Sequence, residues 1–180
     1  MPESDNHADV TVAEWRLAAE RQDAARAIGC LAEEVVLISP LTAQFTFSGR
    51  AEVAAVVKAA FSVITDIRYY TETGDDQTRA LFYHGRCGGQ DFEEAQLLRL
   101  DHEARIIEIT LFGRPLPGLT AVMKQIGPTL LRLQGRPRLA GMIGLATVPL
   151  HAMAASGEQY IVPLADPRRS RGTPAPPHLR

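Results

Sequence analysis

The feature that most constrains this chain is a block of period-two sequence in its middle. Between Asp66 and Gly113, apolar and polar residues alternate in four runs, at about 66–73, 78–87, 91–101 and 105–113. Gly74-Asp75-Asp76, Gly88-Gly89 and Asp101-His102-Glu103 separate them. Period-two alternation is the signature of half-buried strands, and short Gly/Asp-rich separators are hairpin turns. Four strands joined by hairpins make an antiparallel sheet. The helical stretches lie before and after this block rather than between its strands, so the class is α+β and not alternating α/β.

Residues 1–10 are polar and acidic and read as a disordered lead. Thr11-Val12-Ala13-Glu14 has the form of a capping box. It opens a helix marked by Trp15, Ala18, Ala19, Ala25 and Ile28 and stopped at Gly29. A short helical turn is expected at Leu31 to Glu34, then a strand Val35 to Ile38 closed by Ser39-Pro40, and a second short strand Phe45 to Phe47. Val53, Val56, Val57, Ala60, Phe61 and Ile64 mark the apolar stripe of the next helix.

Beyond Arg114-Pro115-Leu116-Pro117-Gly118 the spacing turns helical again, through Leu119, Val122, Met123, Ile126, Leu130 and Leu133. Gly135-Arg136-Pro137 is an elbow, and Leu139, Met142, Ile143 and Ala146 start another apolar segment. The chain therefore divides into the lead 1–10, a domain 11–115, a helical extension 116–160 and a Pro- and Arg-rich tail 161–180 expected to be disordered. The extension must bury its apolar stripes. It can cap the sheet, cover its outer face or pack across a dimer. If it caps the mouth, it excludes water, and Met142 or Leu139 could touch a ligand.

Composition excludes several classes of function. The net charge is −2, so the basic excess that a phosphate backbone requires is absent and no nucleic-acid partner is expected. Two cysteines, Cys30 and Cys87, cannot build a disulfide framework or a four-thiolate zinc site. No His/Cys/carboxylate cluster has metal-ligand spacing, and no metal or cofactor is expected. Gly85-x-x-Gly88-Gly89 lies in a hairpin rather than between a strand and a helix, so it is not a phosphate loop. The N-terminal sequence lacks a signal-peptide pattern, and the apolar stretch Leu139 to Ala155 is short and interrupted for a membrane span. The chain reads as cytoplasmic, without a membrane contact. Arginine outnumbers lysine 17 to 2, which fits a GC-rich bacterial source.

The order of elements, with Leu31-Ala32-Glu33-Glu34-Val35-Val36, Phe47-Ser48-Gly49-Arg50-Ala51-Glu52-Val53, Gly85-Arg86-Cys87-Gly88-Gly89, Leu98-Arg99-Leu100-Asp101 and Arg105-Ile106-Ile107-Glu108, resembles the nuclear transport factor 2-like superfamily. Its SnoaL-like branch, which includes polyketide cyclases, is the nearest likeness. The resemblance covers about residues 11–115. It implies a curved antiparallel sheet wrapped around N-terminal helices into a cone with an internal pocket, and a homodimer across the outer sheet face. It does not imply one reaction, because this fold hosts isomerases, dehydratases, epoxide hydrolases, cyclases and binders. The ketosteroid isomerases of the superfamily use a carboxylate base and an oxyanion hole made of a Tyr and a protonated Asp. By alignment the Tyr position falls on Trp15, the base on Ser39 before Pro40, and the Asp on Gln96. The Asp-Arg-Asp set of the epoxide hydrolases keeps only Arg86, with Gly88 and Leu111 at the acidic positions, which argues against that reaction.

Strand alternation sorts the remaining candidates. Phe92, Glu94, Gln96, Leu98 and Leu100 share the more apolar face of their strand, so Glu94 and Gln96 are expected to point inward. A carboxylate among apolar neighbours has a raised pKa, which suits an acid/base catalyst. Tyr83 shares the inward face with Leu81, Gly85 and Cys87. His84 lies on the opposite face and is a candidate because imidazole titrates near neutrality. Tyr69 is expected inward beside Ile67 and Thr71. The catalytic candidates are Glu94, Tyr83 and His84, and the ligand-binding candidates are Trp15, Ser39, Tyr69 and Gln96. The expected function is a cofactor-independent cyclase, isomerase or dehydratase acting on a hydrophobic carbonyl-bearing metabolite. The alternative is a non-catalytic ligand-binding or protein-interaction module on the same fold.

Overall fold

The structure is a computed structural model that describes residues 7–167. In chain order it contains α1 (His7–Glu20), α2 (Ala24–Gly29), β1 (Leu31–Ile38), β2 (Phe47–Ser48), α3 (Arg50–Val63), β3 (Ile64–Gly74), β4 (Thr78–Cys87), β5 (Gln90–Leu100), β6 (Ile106–Arg114), α4 (Leu116–Leu133) and α5 (Pro137–Ser156). Two short helical turns, Gly157–Ile161 and Val162–Ala165, follow α5. The six strands form one sheet in the order β2-β1-β6-β5-β4-β3. From β3 to β6 every pairing is antiparallel, as the hairpin separators require, whereas β1 lies parallel to β6.

The sheet is bent by bulges. The register of β3 against β4 shifts between Thr65 and Arg68, around Asp66 with its left-handed φ of 56°, and again between Tyr69 and Thr71. Each extra residue bends its strand and adds twist, and together they curl the sheet. The second bulge corrects one expectation. Tyr69 faces inward, but Thr71 is exposed, and Glu72 takes the inward-leaning position instead. There it meets Arg16 from α1 at 2.7 Å and Arg79 from β4 at 3.3 Å.

Local sequence explains the other departures. The first helix begins at His7, so the Thr11–Glu14 pattern lies inside it and His7 to Val10 are helical rather than part of a lead. Residues 1–6 lie outside the described residues, as do residues 168–180 of the expected tail. The helix does not run through to Gly29. It breaks at Arg21-Gln22-Asp23, where Gln22 has a φ of 57° and the Asp23 side chain caps α2 by accepting from the Arg26 N–H at 3.0 Å. The break is tied to β3 on both sides. Gln22 Nε2 donates to the Ile64 carbonyl at 2.6 Å, and Glu20 accepts from the Tyr69 N–H at 3.0 Å. Leu31 to Glu34 is strand, not helical turn, because Leu31 pairs with Ile106 on β6. Cross-strand pairing outweighs the helix propensity of Leu-Ala-Glu-Glu.

The concave face of the sheet holds the core. Leu81, Leu98, Ile106 and Ile109 are fully buried there against Val12 of α1 and Val53 of α3, and Phe92 is fully buried in a second cluster with Tyr83 and Val122 of α4. Helix α4 crosses the open end of the cone. Its first turn sits against β5 through Gly118, where an added Cβ would lie 2.5 Å from Phe92 Cβ and 3.0 Å from the Asp91 carbonyl. Neither atom is a flexible tip, so Gly118→Ala is expected to destabilise the protein by about 1–3 kcal/mol in urea denaturation, as overpacking does. Gly141→Ala in α5, where a Cβ meets nothing within 4 Å, is expected to be neutral or slightly stabilising. Equal losses at both positions would show that α4 is not seated this closely.

Candidate functional site

Three neighbouring strands place the inward polar residues side by side. The two-residue Gly88-Gly89 turn pairs Cys87 with Gln90 and thereby sets Tyr83 opposite Glu94 and Leu81 opposite Gln96, while Tyr69 on β3 pairs with Tyr83. Gly85, next in the inward row, leaves room for the rings beside it: a Cβ there would come within 3.1 Å of Tyr83 and 3.2 Å of Phe92. Trp15 approaches from α1.

These residues form one hydrogen-bonded chain. Trp15 Nε1–H donates to Gln96 Oε1 at 2.9 Å, and the Tyr69 hydroxyl donates to the same oxygen at 3.0 Å. Gln96 Nε2 donates to Glu94 Oε1 at 3.2 Å, and the Tyr83 hydroxyl donates to that oxygen at 2.9 Å. An indole N–H can only donate, so it fixes which end of the Gln96 amide faces it and turns the NH₂ toward Glu94. Trp15 therefore orients the group that in turn solvates the carboxylate. Both bonds fall on Oε1. No donor among the described residues reaches Glu94 Oε2, which is left to the cavity.

That cavity has a volume of about 390 Å³ and lies between the concave sheet face and α1, α3 and α4. Its walls are mostly apolar, including Phe47, Phe61, Ile67, Ile109, Val122 and Ile126. Glu94 is only 7% exposed, and its burial pushes its pKa up from the ordinary 4.5 to about 7, against the hydrogen bonds from Gln96 and Tyr83 that favour the charged form. Burial, followed by the nearby Glu94 charge, holds the Tyr69 and Tyr83 phenols above their ordinary range, so both stay protonated donors at neutral pH. Because Tyr83 stabilises the carboxylate, Tyr83→Phe is expected to move the Glu94 pKa further up, readable in a pH titration of the Glu94 carboxyl signal. A downward move would show that burial of the Tyr83 ring, and not its hydroxyl, sets the local environment.

Glu94, Tyr83, Gln96, Tyr69 and Trp15 thus come together. Ser39 also lines the cavity, just after the end of β1, where its hydroxyl accepts from the Leu41 N–H at 3.2 Å. His84, the third catalytic candidate, does not join them and stands on the face that alternation assigns to it. It lies on the outer sheet face, stacked on Tyr70 with ring centroids 4.4 Å apart and 3.5 Å from Glu93. Alternation puts it across the sheet from Tyr83. Cys30 and Cys87 are free and buried, and burial pushes both thiols up to about 11, so neither is a thiolate at neutral pH. Among the described residues no group of three His, Cys, Asp or Glu side chains could hold a metal ion.

The extension caps the cone. Helix α4 lines the cavity with Val122, Met123, Ile126 and Leu130, and Ile143 of α5 adds to the lining. The expected ligand contacts at Leu139 and Met142 are not made: neither borders the cavity, and Met142 is 69% exposed. Arg136, in the elbow between α4 and α5, borders the cavity and is the one basic side chain among its lining residues. Sequence reasoning missed it because Gly-Arg-Pro reads as a helix breaker and nothing more.

No protein-family model and no curated protein sequence matches the chain. Solved structures do. A steroid delta-isomerase from Pseudomonas aeruginosa superposes with a TM-score of 0.66 at 24% identity, covering 75% of this chain and 98% of its own. A nuclear transport factor 2-like protein of unknown function from Cytophaga hutchinsonii superposes with a TM-score of 0.52 at 14% identity, covering 61% of this chain and 92% of its own. The chain has the nuclear transport factor 2-like fold. A SnoaL-like protein of unknown function from Burkholderia thailandensis, with a TM-score of 0.52 at 15% identity, covers 64% of this chain and 100% of its own. The fold is therefore the one that the order of motifs implied. The isomerase leaves a quarter of this chain without a counterpart.

Proposed function

We propose that the protein is a cofactor-independent proton-transfer enzyme, an isomerase, dehydratase or cyclase, acting on a hydrophobic carbonyl-bearing metabolite. The observation that carries this reading is Glu94: a buried carboxylate with a pKa of about 7 and one oxygen open to an apolar cavity. Such a group gives up and takes back a proton at neutral pH with little cost in either direction.

In the proposed step, Glu94 Oε2 takes a proton from the carbon next to the ligand carbonyl. The C–H electron pair moves into the new C=C bond, and the carbonyl electrons move onto oxygen as an enolate. Isomerisation follows when Glu94 returns the proton to a different carbon. Dehydration follows when the enolate expels a β-hydroxyl and Glu94 protonates it as it leaves. The Tyr69 hydroxyl, turned from Gln96 Oε1 to the ligand oxygen, is the donor that stabilises the charge as it forms, while the Trp15 N–H keeps the Gln96 amide in place. The likeness in fold to a steroid delta-isomerase supports this class of chemistry. The base, however, stands elsewhere: Ser39 occupies the position that the resemblance assigns to the carboxylate, and Glu94 supplies the only carboxylate among the residues that line the cavity.

The test is exchange of the α-hydrogens of hydrophobic ketones, β,γ-unsaturated steroid ketones among them, followed in D₂O by mass spectrometry. Wild-type protein is expected to catalyse exchange with a pH profile that rises toward about pH 7. Glu94→Gln is expected to lower the rate by about 10²–10⁴-fold, the usual worth of a general acid/base, while ligand binding is retained. Tight ketone binding without exchange in wild-type protein would overturn the enzyme reading in favour of a ligand-binding protein.

A further inference from the structure

The segment after the cavity cap has a character that the proposed chemistry does not use. Helix α5 packs one narrow stripe against α4. Ala140 and Thr147 are buried there, Pro128 lies where a Cβ on Gly144 would be 3.4 Å away, and His151 Nδ1 is 3.0 Å from the Thr120 hydroxyl. Most of the remaining surface of the helix is open, apart from the half-buried Leu139, Ala154 and Ala155 and from Ile143 at the cavity edge. Met142, Leu145 and Met153 are 69%, 76% and 73% exposed, and Val148 and Leu150 are exposed as well. At 100° per residue these side chains span an arc of roughly 200°. A contact with one partner helix uses a much narrower stripe.

Charge separates this segment from the domain. Residues 1–115 carry 11 basic and 19 acidic side chains, whereas residues 116–180 carry eight basic and two acidic ones. From Leu116 to Gly157 there is no acidic residue. Arg132, Arg136 and Arg138 stand exposed at the near end of α5. The sequence continues beyond the last turn as Arg168-Arg169-Ser170-Arg171. An apolar arc with exposed arginines at its near end, interrupted by the single carboxylate Glu158, fits an anionic lipid surface, in which side chains enter the acyl boundary and guanidinium groups meet headgroup phosphates.

We propose that α5 and the turns that follow it, through Ala165, are a membrane arm that lies in the headgroup region of an anionic bilayer, with the acidic domain held away from the surface. By length and composition alone Pro137–Ala165 could cross a membrane. The contacts with α4 favour lying on it, because a spanning helix would have to give them up. The interruptions at Pro149 and His151 argued from sequence against a membrane contact, but a helix that lies on the surface does not have to span. A second copy of the chain is the less suitable occupant, since it would bring two basic arms together. The outer sheet face, where the resemblance places a homodimer, is laced with ion pairs such as Arg86–Asp91, Arg99–Glu108 and Arg114–Glu93.

The test is co-flotation of the full chain with phosphatidylcholine vesicles, with and without roughly one quarter phosphatidylglycerol. It requires no turnover and so stands apart from the enzyme reading. The protein is expected to float with the anionic vesicles and to stay behind with the neutral ones. Leu145→Glu/Met153→Glu, both on the exposed arc, is expected to lower the bound fraction at least about tenfold without changing thermal unfolding. Arg132→Glu/Arg138→Glu is expected to act in the same direction. Failure of the wild-type protein to float with anionic vesicles overturns the proposal. If sedimentation velocity then shows a dimer that Leu145→Glu/Met153→Glu splits, the occupant of the arc is a second copy.

Discussion

At about pH 8, Glu94→Gln is expected to make the protein more stable, by roughly 3 kcal/mol, and at about pH 4 to leave its stability nearly unchanged. The sign follows from where the proton sits. Below the ordinary carboxyl pKa of 4.5, Glu94 is protonated in both the folded and the unfolded chain, and its burial carries no ionic cost. Between 4.5 and about 7 the unfolded chain has released a proton that the folded chain still holds, so stability falls as pH rises. Above about 7 the folded protein carries a buried carboxylate and the full penalty is present. Each tenfold change in proton affinity is worth about 1.4 kcal/mol, which sets the magnitude. Glutamine removes the ionisation, and its carbonyl can still accept from Tyr83 and Gln96. Urea denaturation of both proteins across this pH range measures the effect. A variant no more stable than wild type at about pH 8 would show that the cavity solvates the carboxylate and that no penalty exists. Stability gained together with turnover lost is the pattern of a group retained for chemistry rather than for folding.

The second large effect lies at Trp15. Its indole is 3% exposed, packs in the core and donates to Gln96. Trp15→Ala is expected to cost about 3–5 kcal/mol, mainly through the unfilled volume. It also removes the donor that orients the Gln96 amide, so the Glu94 pKa is expected to shift as well. Trp15→Phe keeps much of the apolar volume and loses the N–H bond, and its cost is expected near 1–2 kcal/mol. Chemical denaturation of the two variants separates packing from hydrogen bonding. Equal losses would contradict the account, because they would place the whole effect on the hydrogen bond.

The β-sheet was legible because its signals are local. Alternation and Gly/Asp turns mark β3 to β6, and alternation alone places Glu94 and Gln96 inside and His84 outside. The tight Gly88-Gly89 turn even carries the register, because pairing Cys87 with Gln90 determines that Tyr83 meets Glu94. What could not be read depends on distant partners. The left-handed Asp66 and the bulges of β3 leave no pattern in sequence, so the exchange of Thr71 for Glu72 on the inward side was invisible. Leu31 to Glu34 is a good helical sequence that pairing with β6 makes into a strand. Thr11-x-x-Glu14 has the form of a cap but lies within a helix that starts at His7. The members of the site were named one by one, yet their connection was not. Which oxygen of Glu94 is solvated, and which is open, depends on Trp15 turning Gln96 from across the cone.

An apolar cavity here presents a carboxylate that changes charge near neutrality. The most direct measurement is the pH titration of the side-chain carboxyl ¹³C signals of glutamate-labelled protein, with Glu94→Gln used to assign the Glu94 signal. The midpoint expected for Glu94 is about 7. A midpoint near the ordinary 4.5 would mean that the carboxylate is hydrated in the folded protein, and it would remove the acid/base role on which the proposed function rests.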